Sequence, residues 1–110
     1  LLGDAGLICI VAVISPFRRE REMARAIAKG IDFFEIFVDA PLEVCERRDP
    51  KGLYRKARAG LILDFTGIGS SYEPPHAPEL VLKTGEITPE DAVRQISSLL
   101  MNEGVIGSAR

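Results

Sequence analysis

Basic side chains are concentrated in one short stretch of a chain that is slightly acidic as a whole. Residues 47–58 contain six Lys or Arg residues and a single acid, Asp49, whereas the net charge of the 110-residue chain is −2. A mobile cationic segment of this kind could close over transferring phosphates, because phosphoryl transfer depends mainly on positioning and charge neutralisation. The pattern is also typical of a solvated helical face, so the residues alone leave both interpretations open.

Two further positions could contact a ligand. Ser15 follows an apolar run and precedes Pro16, so it would lie where a strand ends and a helix begins. Backbone N–H groups at such a helix start favour an anion, although the simpler interpretation of Ser15 is a helix N-cap. Phe65, beside Thr66, is either a loop anchor in the core or an aromatic platform on which a base could stack.

Charge and composition argue against several other classes of function. The net charge of −2 gives no field of the kind that attracts nucleic acid or an anionic membrane, and the longest apolar run, residues 6–14, is too short to span a bilayer. With His76 as the single histidine, no zinc-ligand spacing exists. Cys9 and Cys45 lie among apolar residues and are interpreted as structural thiols. We expect a folded cytoplasmic protein with neither nucleic acid nor membrane as a partner, and without metal ligands in this chain.

The hydrophobic pattern predicts alternating strands and helices. In chain order these are a strand at 6–14, a helix at 17–29, a strand at 33–38, a short helix at 42–47, a strand at 79–82 and a helix that begins after Thr88. This order indicates an α/β domain with a mostly parallel sheet. Three strands form a poor sheet for such apolar segments, and residues 1–6 look like the end of a helix followed by a turn. The sequence therefore predicts that the partner strands precede Leu1 in a larger domain.

Six short motifs in the chain resemble those of the adenylylsulfate (APS) kinase family, in the same order and at the same spacing. They are I-S-P-F at 14–17, F-E-I-F-V-D-A-P at 34–41, D-P-K-G-L-Y at 49–54, A-R-A-G at 57–60, F-T-G-I at 65–68 and Y-E-P-P at 72–75. The resemblance covers almost the whole chain.

The resemblance implies a fold and an activity. The family has the P-loop NTPase fold of the nucleoside monophosphate kinase type, a parallel sheet with helices on both faces, and works as a homodimer. It transfers the γ-phosphoryl group of Mg-ATP to the 3′-hydroxyl of APS, giving PAPS in sulfate assimilation. Residues 1–110 would be the C-terminal part of one such kinase domain, with a lid at about 47–64. The complete protein would be either a free kinase or a kinase fused to an ATP sulfurylase.

The resemblance also implies roles for individual residues. Ser15 matches the serine that the family records as a phosphoserine intermediate, and together with Ile14 it would line the APS site. Lys51 matches a lid lysine that contacts APS, while Phe65 and Thr66 match the residues around the APS adenine.

Four more positions follow from the same resemblance. Arg48 and Arg58 would belong to the lid, and the loop with Thr84 and Ile87 would lie where the adenine of ATP rests. Leu63 stands where the family usually has a basic residue, and Gly69-Ser70-Ser71 replaces a segment that usually carries an acid.

The larger departure is an absence from the sequence. No G-x-x-x-x-G-K-[ST] motif occurs in the 110 residues, nor does the D-G-D-N stretch that would help to bind magnesium and APS. We therefore expect the chain to be inactive alone, with the phosphate-binding part and the magnesium ligands upstream of Leu1. The alternative is a non-catalytic module that binds nucleotide weakly or mediates dimerisation. A different small-molecule kinase of the same fold is disfavoured by the F-T-G-I and D-P-K-G-L-Y motifs.

Overall fold

A computed structural model describes residues 7–63, 65–67 and 71–107. The elements, in chain order, are α1 (Arg18–Ile27), β1 (Ile36–Asp39), α2 (Leu42–Arg48), α3 (Leu53–Arg58), β2 (Leu80–Lys83) and α4 (Pro89–Asn102). They belong to two compact units. The first unit combines the described residues of Leu1–Phe33 and Leu53–His76, and the second combines Phe34–Gly52 with the described residues of Ala77–Arg110.

A parallel pair of strands forms the centre of the second unit. β1 and β2 pair in register, from Ile36 opposite Leu80 to Asp39 opposite Lys83, which confirms the predicted parallel arrangement. Leu82 is only 3% exposed and is the best buried apolar residue among those described. The pairing continues beyond the strand ends, because the Thr84 N–H donates to the Asp39 carbonyl at 3.0 Å. The ladder therefore brings the chain after β2 beside the end of β1.

The last helix begins at the predicted cap. Thr88 is the N-cap of α4, its hydroxyl accepts a hydrogen bond from the Asp91 N–H at 3.1 Å, and Pro89 occupies the first turn. This is the arrangement of a capping box, with Asp91 at the third helical position. A hydrogen bond from Arg94, followed by hydrogen bonds from Thr88, lowers the pKa of the Asp91 carboxyl below its ordinary value. Helix α4 then packs against β2.

The predicted first strand is wrong for the described residues 7–14, which form no strand. Their apolar side chains are exposed, with Ile10 at 90% and Val11 at 77%. A strand exists only when a neighbour satisfies its N–H and C=O groups. Within the described part of the chain, no segment pairs with residues 7–14 in a ladder.

The helix N-cap predicted at Ser15 is also wrong. Helix α1 begins at Arg18 and its N-cap is Phe17, whose side chain makes no capping bond. The carboxylate of Glu73 takes over this role, since its Oε1 accepts from the Arg18 N–H at 2.9 Å. A carboxylate at the positive end of a helix is favourable, and here it comes from a residue 55 positions later in the chain.

Smaller differences concern boundaries and exposure. β1 begins three residues later than predicted, β2 is shifted by one, and the basic stretch 47–58 contains the helix α3. Cys9 is exposed and Cys45 is half-buried, so burial supports the interpretation as a structural thiol only for Cys45. The turn predicted in residues 1–6 and the departures at Gly69 and Ser70 lie outside the described residues. None of the described helices has the length and apolarity needed to cross a membrane.

The lowered pKa of Asp91 predicts how the stability of α4 depends on pH. A folded-state pKa below the unfolded value, about 3.9, contributes stability that is present above that value and is lost as pH falls through the folded-state pKa. We expect Asp91→Asn to be less stable than the unmodified chain at pH 7 in urea unfolding. The difference should shrink in acid. Glu103→Gln, at the other end of the helix, is the control. A stability difference that stays constant between pH 7 and pH 2 would contradict this prediction.

Candidate functional site

Arg21 connects the segment around Ser15 with the segment around Tyr72 in the first unit. Its Nη1 donates to the Ser15 carbonyl at 2.6 Å, and its Nη2 donates to the carbonyl of Glu73. The guanidinium also lies 5.4 Å from the centroid of the Tyr72 ring, within the range of a cation–π contact. Charge-assisted hydrogen bonds of this kind are roughly twice as strong as neutral ones.

A second set of bonds fixes the same two segments. The Glu73 N–H donates to the Pro16 carbonyl at 2.8 Å, and the Arg18 Nε donates to the Pro74 carbonyl at 2.6 Å. With the Glu73 carboxylate on the Arg18 N–H, bonds run in both directions between the start of α1 and residues 73–74. We call this set of contacts, with those of Arg21, the α1 clasp.

Ser15 sits inside the clasp in an unusual backbone conformation. Its φ angle is +41°, which lies in the left-handed region that favours glycine. Its side chain is half-buried, and no hydrogen bond of its hydroxyl to another described residue is found. The hydroxyl therefore does not cap α1. Ile14, immediately before it, is 61% exposed.

Phe65 packs against α3 in the same unit. Its ring meets the ring of Tyr54 edge to face, with centroids 4.9 Å apart and planes at 77°. Phe65 and Thr66 are both half-buried. Since Phe65 is both anchored and partly accessible, the contact is compatible with either of the roles that the residues alone left open.

The cationic residues of the basic stretch are exposed, Lys51 and Arg58 among them. Lys51 is exposed in the turn between α2 and α3, where the Gly52 N–H donates to the Asp49 carbonyl at 3.1 Å. Gly52 has a φ of +68° and is buried, so this turn requires glycine. Arg58 is exposed at the end of α3. The two residues lie in different units, so the geometry of a lid at 47–64 stays a prediction.

In the second unit, Arg48 holds the loop that contains Thr84 and Ile87. Its Nη2 donates to the Thr84 carbonyl at 2.8 Å. The next residue in that loop, Gly85, lies so close to α2 that an added Cβ would meet the Pro41 Cδ at 3.3 Å. The structure thus joins Arg48 and Thr84, which the sequence had placed in separate regions. Ile87 is half-buried in the same loop.

Sequence reasoning missed the residues that hold the site together. Neither Arg21 nor Tyr54 was singled out, and the Y-E-P-P motif was given no role. A signal existed in the spacing of Arg18, Arg21 and Arg25, which recur at three and four residues and so share one face of α1. Arg25 also contacts an aromatic ring, because its guanidinium lies 4.8 Å from the centroid of the Phe33 ring.

The parallel strands and flanking helices define an α/β protein, and comparison with known proteins specifies which. The sequence profile described as Adenylylsulphate kinase matches residues 1–83. Among solved structures, the Mycobacterium tuberculosis APS kinase CysC in complex with AMPPNP and APS superposes with a TM-score of 0.87 at 48% identity, over 90% of this chain and 58% of that one. The fold is therefore that of the P-loop NTPases, as predicted. The chain belongs to the adenylylsulphate kinase family.

Named relatives agree with this assignment. The adenylyl-sulfate kinase of Acaryochloris marina is 49% identical over 106 residues, which is 96% of this chain and 52% of that protein. The bifunctional enzyme CysN/CysC of Xylella fastidiosa is 58% identical over 104 residues, 94% of this chain and 17% of that protein. The chain thus spans about half the length of the curated single kinases that it matches, and it corresponds to their C-terminal part.

The cap on α1 gives a local prediction. Glu73→Ala removes the carboxylate from the Arg18 N–H, and loss of a helix cap costs about 1 kcal/mol. We expect the Arg18 amide to exchange its hydrogen several-fold faster than in the unmodified chain, while the amides of α4 keep their rates. Glu86→Gln, an exposed acid outside the clasp, should leave both unchanged. Unaltered exchange at Arg18 in Glu73→Ala would show that the carboxylate does not cap the helix.

Proposed function

We propose that this chain is the APS-binding part of an adenylyl-sulfate kinase, which phosphorylates the 3′-hydroxyl of APS with ATP. The observation that carries the proposal is the superposition on the M. tuberculosis APS kinase, a structure that holds AMPPNP and APS. That match extends over 90% of this chain, and the described segments with Ser15, Lys51 and Phe65 carry the motifs on which the family resemblance rests.

Ser15 and Ile14 would contact APS at the start of α1. Ser15 has a hydroxyl that does not cap the helix and a backbone fixed by the α1 clasp. In-line phosphoryl transfer needs no covalent relay. We therefore assign the hydroxyl a hydrogen bond to the substrate in preference to a phosphoserine intermediate.

Phe65 and Thr66 would receive the adenine of APS. The Tyr54 ring fixes Phe65 from one side, and Phe65 is only half-buried, so ring surface remains for a base. A ring that is already held in place loses little conformational freedom when a base stacks on it. The polar side chain of Thr66 lies next to it in the chain.

The cationic residues would neutralise the phosphates and the sulfate. Lys51 and Arg58 are exposed, as expected for side chains that move onto a bound anion. Arg48 donates to the Thr84 carbonyl at 2.8 Å. We assign Arg48 to positioning the loop with Thr84 and Ile87 near the adenine of ATP.

Mg-ATP would be the phosphoryl donor, but the described residues offer no place for its metal. No group of three or more potential metal ligands occurs within the described ranges, and the sequence has no G-x-x-x-x-G-K-[ST] motif to cradle the β- and γ-phosphates. The phosphate-binding part of the kinase must be supplied by other residues than these 110.

Cellular context is also proposed on the basis of the relatives. The match to a bifunctional enzyme at 17% of that protein's length supports a kinase domain that can occur within a longer chain. The complete protein could thus be a kinase fused to an ATP sulfurylase. We also propose that the kinase domain forms a homodimer and that the protein is cytoplasmic.

Activity of the chain alone and in a completed kinase domain tests the proposal. The 110-residue chain, mixed with Mg-ATP and APS, should form no detectable PAPS. Joined behind the N-terminal part of the M. tuberculosis kinase, which supplies the unmatched region, it should form PAPS. The control is the same chimera with its P-loop lysine replaced by alanine. Turnover by the isolated chain would refute the predicted inactivity, and a folded but inactive chimera would favour a non-catalytic module.

Substitutions of Phe65 distinguish a ring that stacks on the adenine of APS from a ring that only anchors its loop. Stacking of a base on an aromatic ring is worth about 1–3 kcal/mol, so Phe65→Ala should weaken APS binding to the chimera by roughly 5- to 150-fold in calorimetric titrations. Phe65→Leu keeps apolar volume against Tyr54 but removes the aromatic face. If Phe65 stacks on adenine, the leucine variant loses affinity while its melting temperature stays close to that of the unmodified protein. Preserved affinity in Phe65→Leu would mean that Phe65 is only an anchor.

A further inference from the structure

We infer that Arg21 is a positioning residue for Ser15: its guanidinium holds the Ser15 backbone in the left-handed conformation that presents the side chain to the substrate. The conformational part of this inference stands on the geometry of the first unit alone. Only its consequence for APS binding rests on the proposed function.

The conformation of Ser15 needs support from outside the local sequence. A φ of +41° is unfavourable for a residue with a Cβ. The following residue is Pro16, and a residue before proline is normally driven into extended conformations. Nothing in the local sequence therefore favours the observed backbone, and a strained residue persists only where surrounding contacts determine its conformation.

Arg21 supplies the contact that acts directly on Ser15. Its Nη1 lies 2.6 Å from the Ser15 carbonyl oxygen, so the guanidinium fixes the peptide group that leads out of the strained residue. The Nη2 bond to the Glu73 carbonyl and the Tyr72 ring hold the guanidinium itself. Residues 72–73 thus fix the guanidinium of Arg21 in the position from which it bonds to the Ser15 carbonyl.

The same contacts argue against a direct role of Arg21 in binding an anion. Both terminal nitrogens of its guanidinium already donate to backbone carbonyls, and its side chain is half-buried. Two carbonyls from distant segments match the planar fork of arginine, which an ammonium group on a flexible stem does not reproduce. Arg21 therefore fixes the backbone conformation of Ser15, and Ser15 contacts the substrate.

Three variants and one stability control test the inference in the full 110-residue chain. Arg21→Met removes the charge and the donors, Arg21→Lys keeps the charge, and Arg19→Met makes the same change two residues earlier on the same helix. Arg19 is exposed, and no hydrogen bond or ion pair is found for it among the described residues. Leu82→Ala, at the best buried position of β2, destabilises the chain outside the clasp.

The first readout needs no ligand. The Cα and Cβ carbon chemical shifts of Ser15, measured by NMR, report whether its φ is positive. We expect them to move toward values of extended backbone in Arg21→Met, to move partly in Arg21→Lys, and to stay unchanged in Arg19→Met and Leu82→Ala. Unchanged Ser15 shifts in Arg21→Met would overturn the inference, whatever the chain binds.

The second readout is the affinity for APS, measured by titration of the same four proteins and the unmodified chain. Arg21→Met should raise the dissociation constant about tenfold and Arg21→Lys about threefold, since a charge-assisted bond is lost or weakened. Leu82→Ala should not raise it, even where it lowers the melting temperature as much as Arg21→Met does. An equal loss of affinity in Leu82→Ala would overturn the positioning role. If the unmodified chain does not bind APS, the same titrations are made with the chimera, and failure of the unsubstituted chimera to bind APS would contradict the proposed function. The Ser15 shifts decide the role of Arg21 in either case.

Discussion

Parallel strands need neighbouring strands to satisfy their backbone N–H and C=O groups and helices to cover their apolar faces. The described part of this chain contains more strand-like sequence than it pairs. β1 and β2 satisfy each other along four residue pairs. The described residues 7–14 have the same apolar, β-branched character but no partner, and their side chains remain exposed. Within the described residues only Ala57 and Leu82 are buried apolar positions. Burial of apolar area contributes about 25 cal/mol per Å², so a core of this extent leaves much of the ordering to other interactions.

Arginine-to-carbonyl hydrogen bonds provide that ordering. Arg18 and Arg21 fasten residues 73–74 to the start of α1 in the first unit, and Arg48 fastens the Thr84 loop to α2 in the second. Each guanidinium reaches a backbone carbonyl that no secondary structure satisfies, and hydrogen bonds to charged groups contribute roughly 1.5–3 kcal/mol. The residues assigned to ligands, Ser15 and Thr84, are held through their own carbonyls.

The cap at Thr88 and the parallel arrangement of the strands were predicted correctly from sequence, whereas individual side-chain contacts between distant segments were not. The cap at Thr88 involves Asp91, three residues away, and it was found. The cap of α1 comes from Glu73, so Ser15 was misassigned although its local pattern was typical of an N-cap. The apolar run before Ser15 indicated that a strand would be stable in a sheet, but a sequence pattern cannot show whether its partners are present. For the site, the family motifs pointed to Ser15 and Phe65. Arg21 and Tyr54 went unnoticed because their importance lies in contacts between segments.

The hydrogen bond of Arg48 to the Thr84 carbonyl bears on the lid role that the family resemblance implies for Arg48. A lid residue must leave its resting contacts when it closes over phosphates, so every bond that it makes in the open state opposes closure. Arg48 donates to the Thr84 carbonyl beside Gly85, whose lack of a side chain permits the close approach to Pro41. Lys51, three residues later and exposed, has no such bond among the described residues. Under the proposed function, a lid would therefore begin after Arg48, and Arg48 would stay with the loop proposed to receive the adenine of ATP.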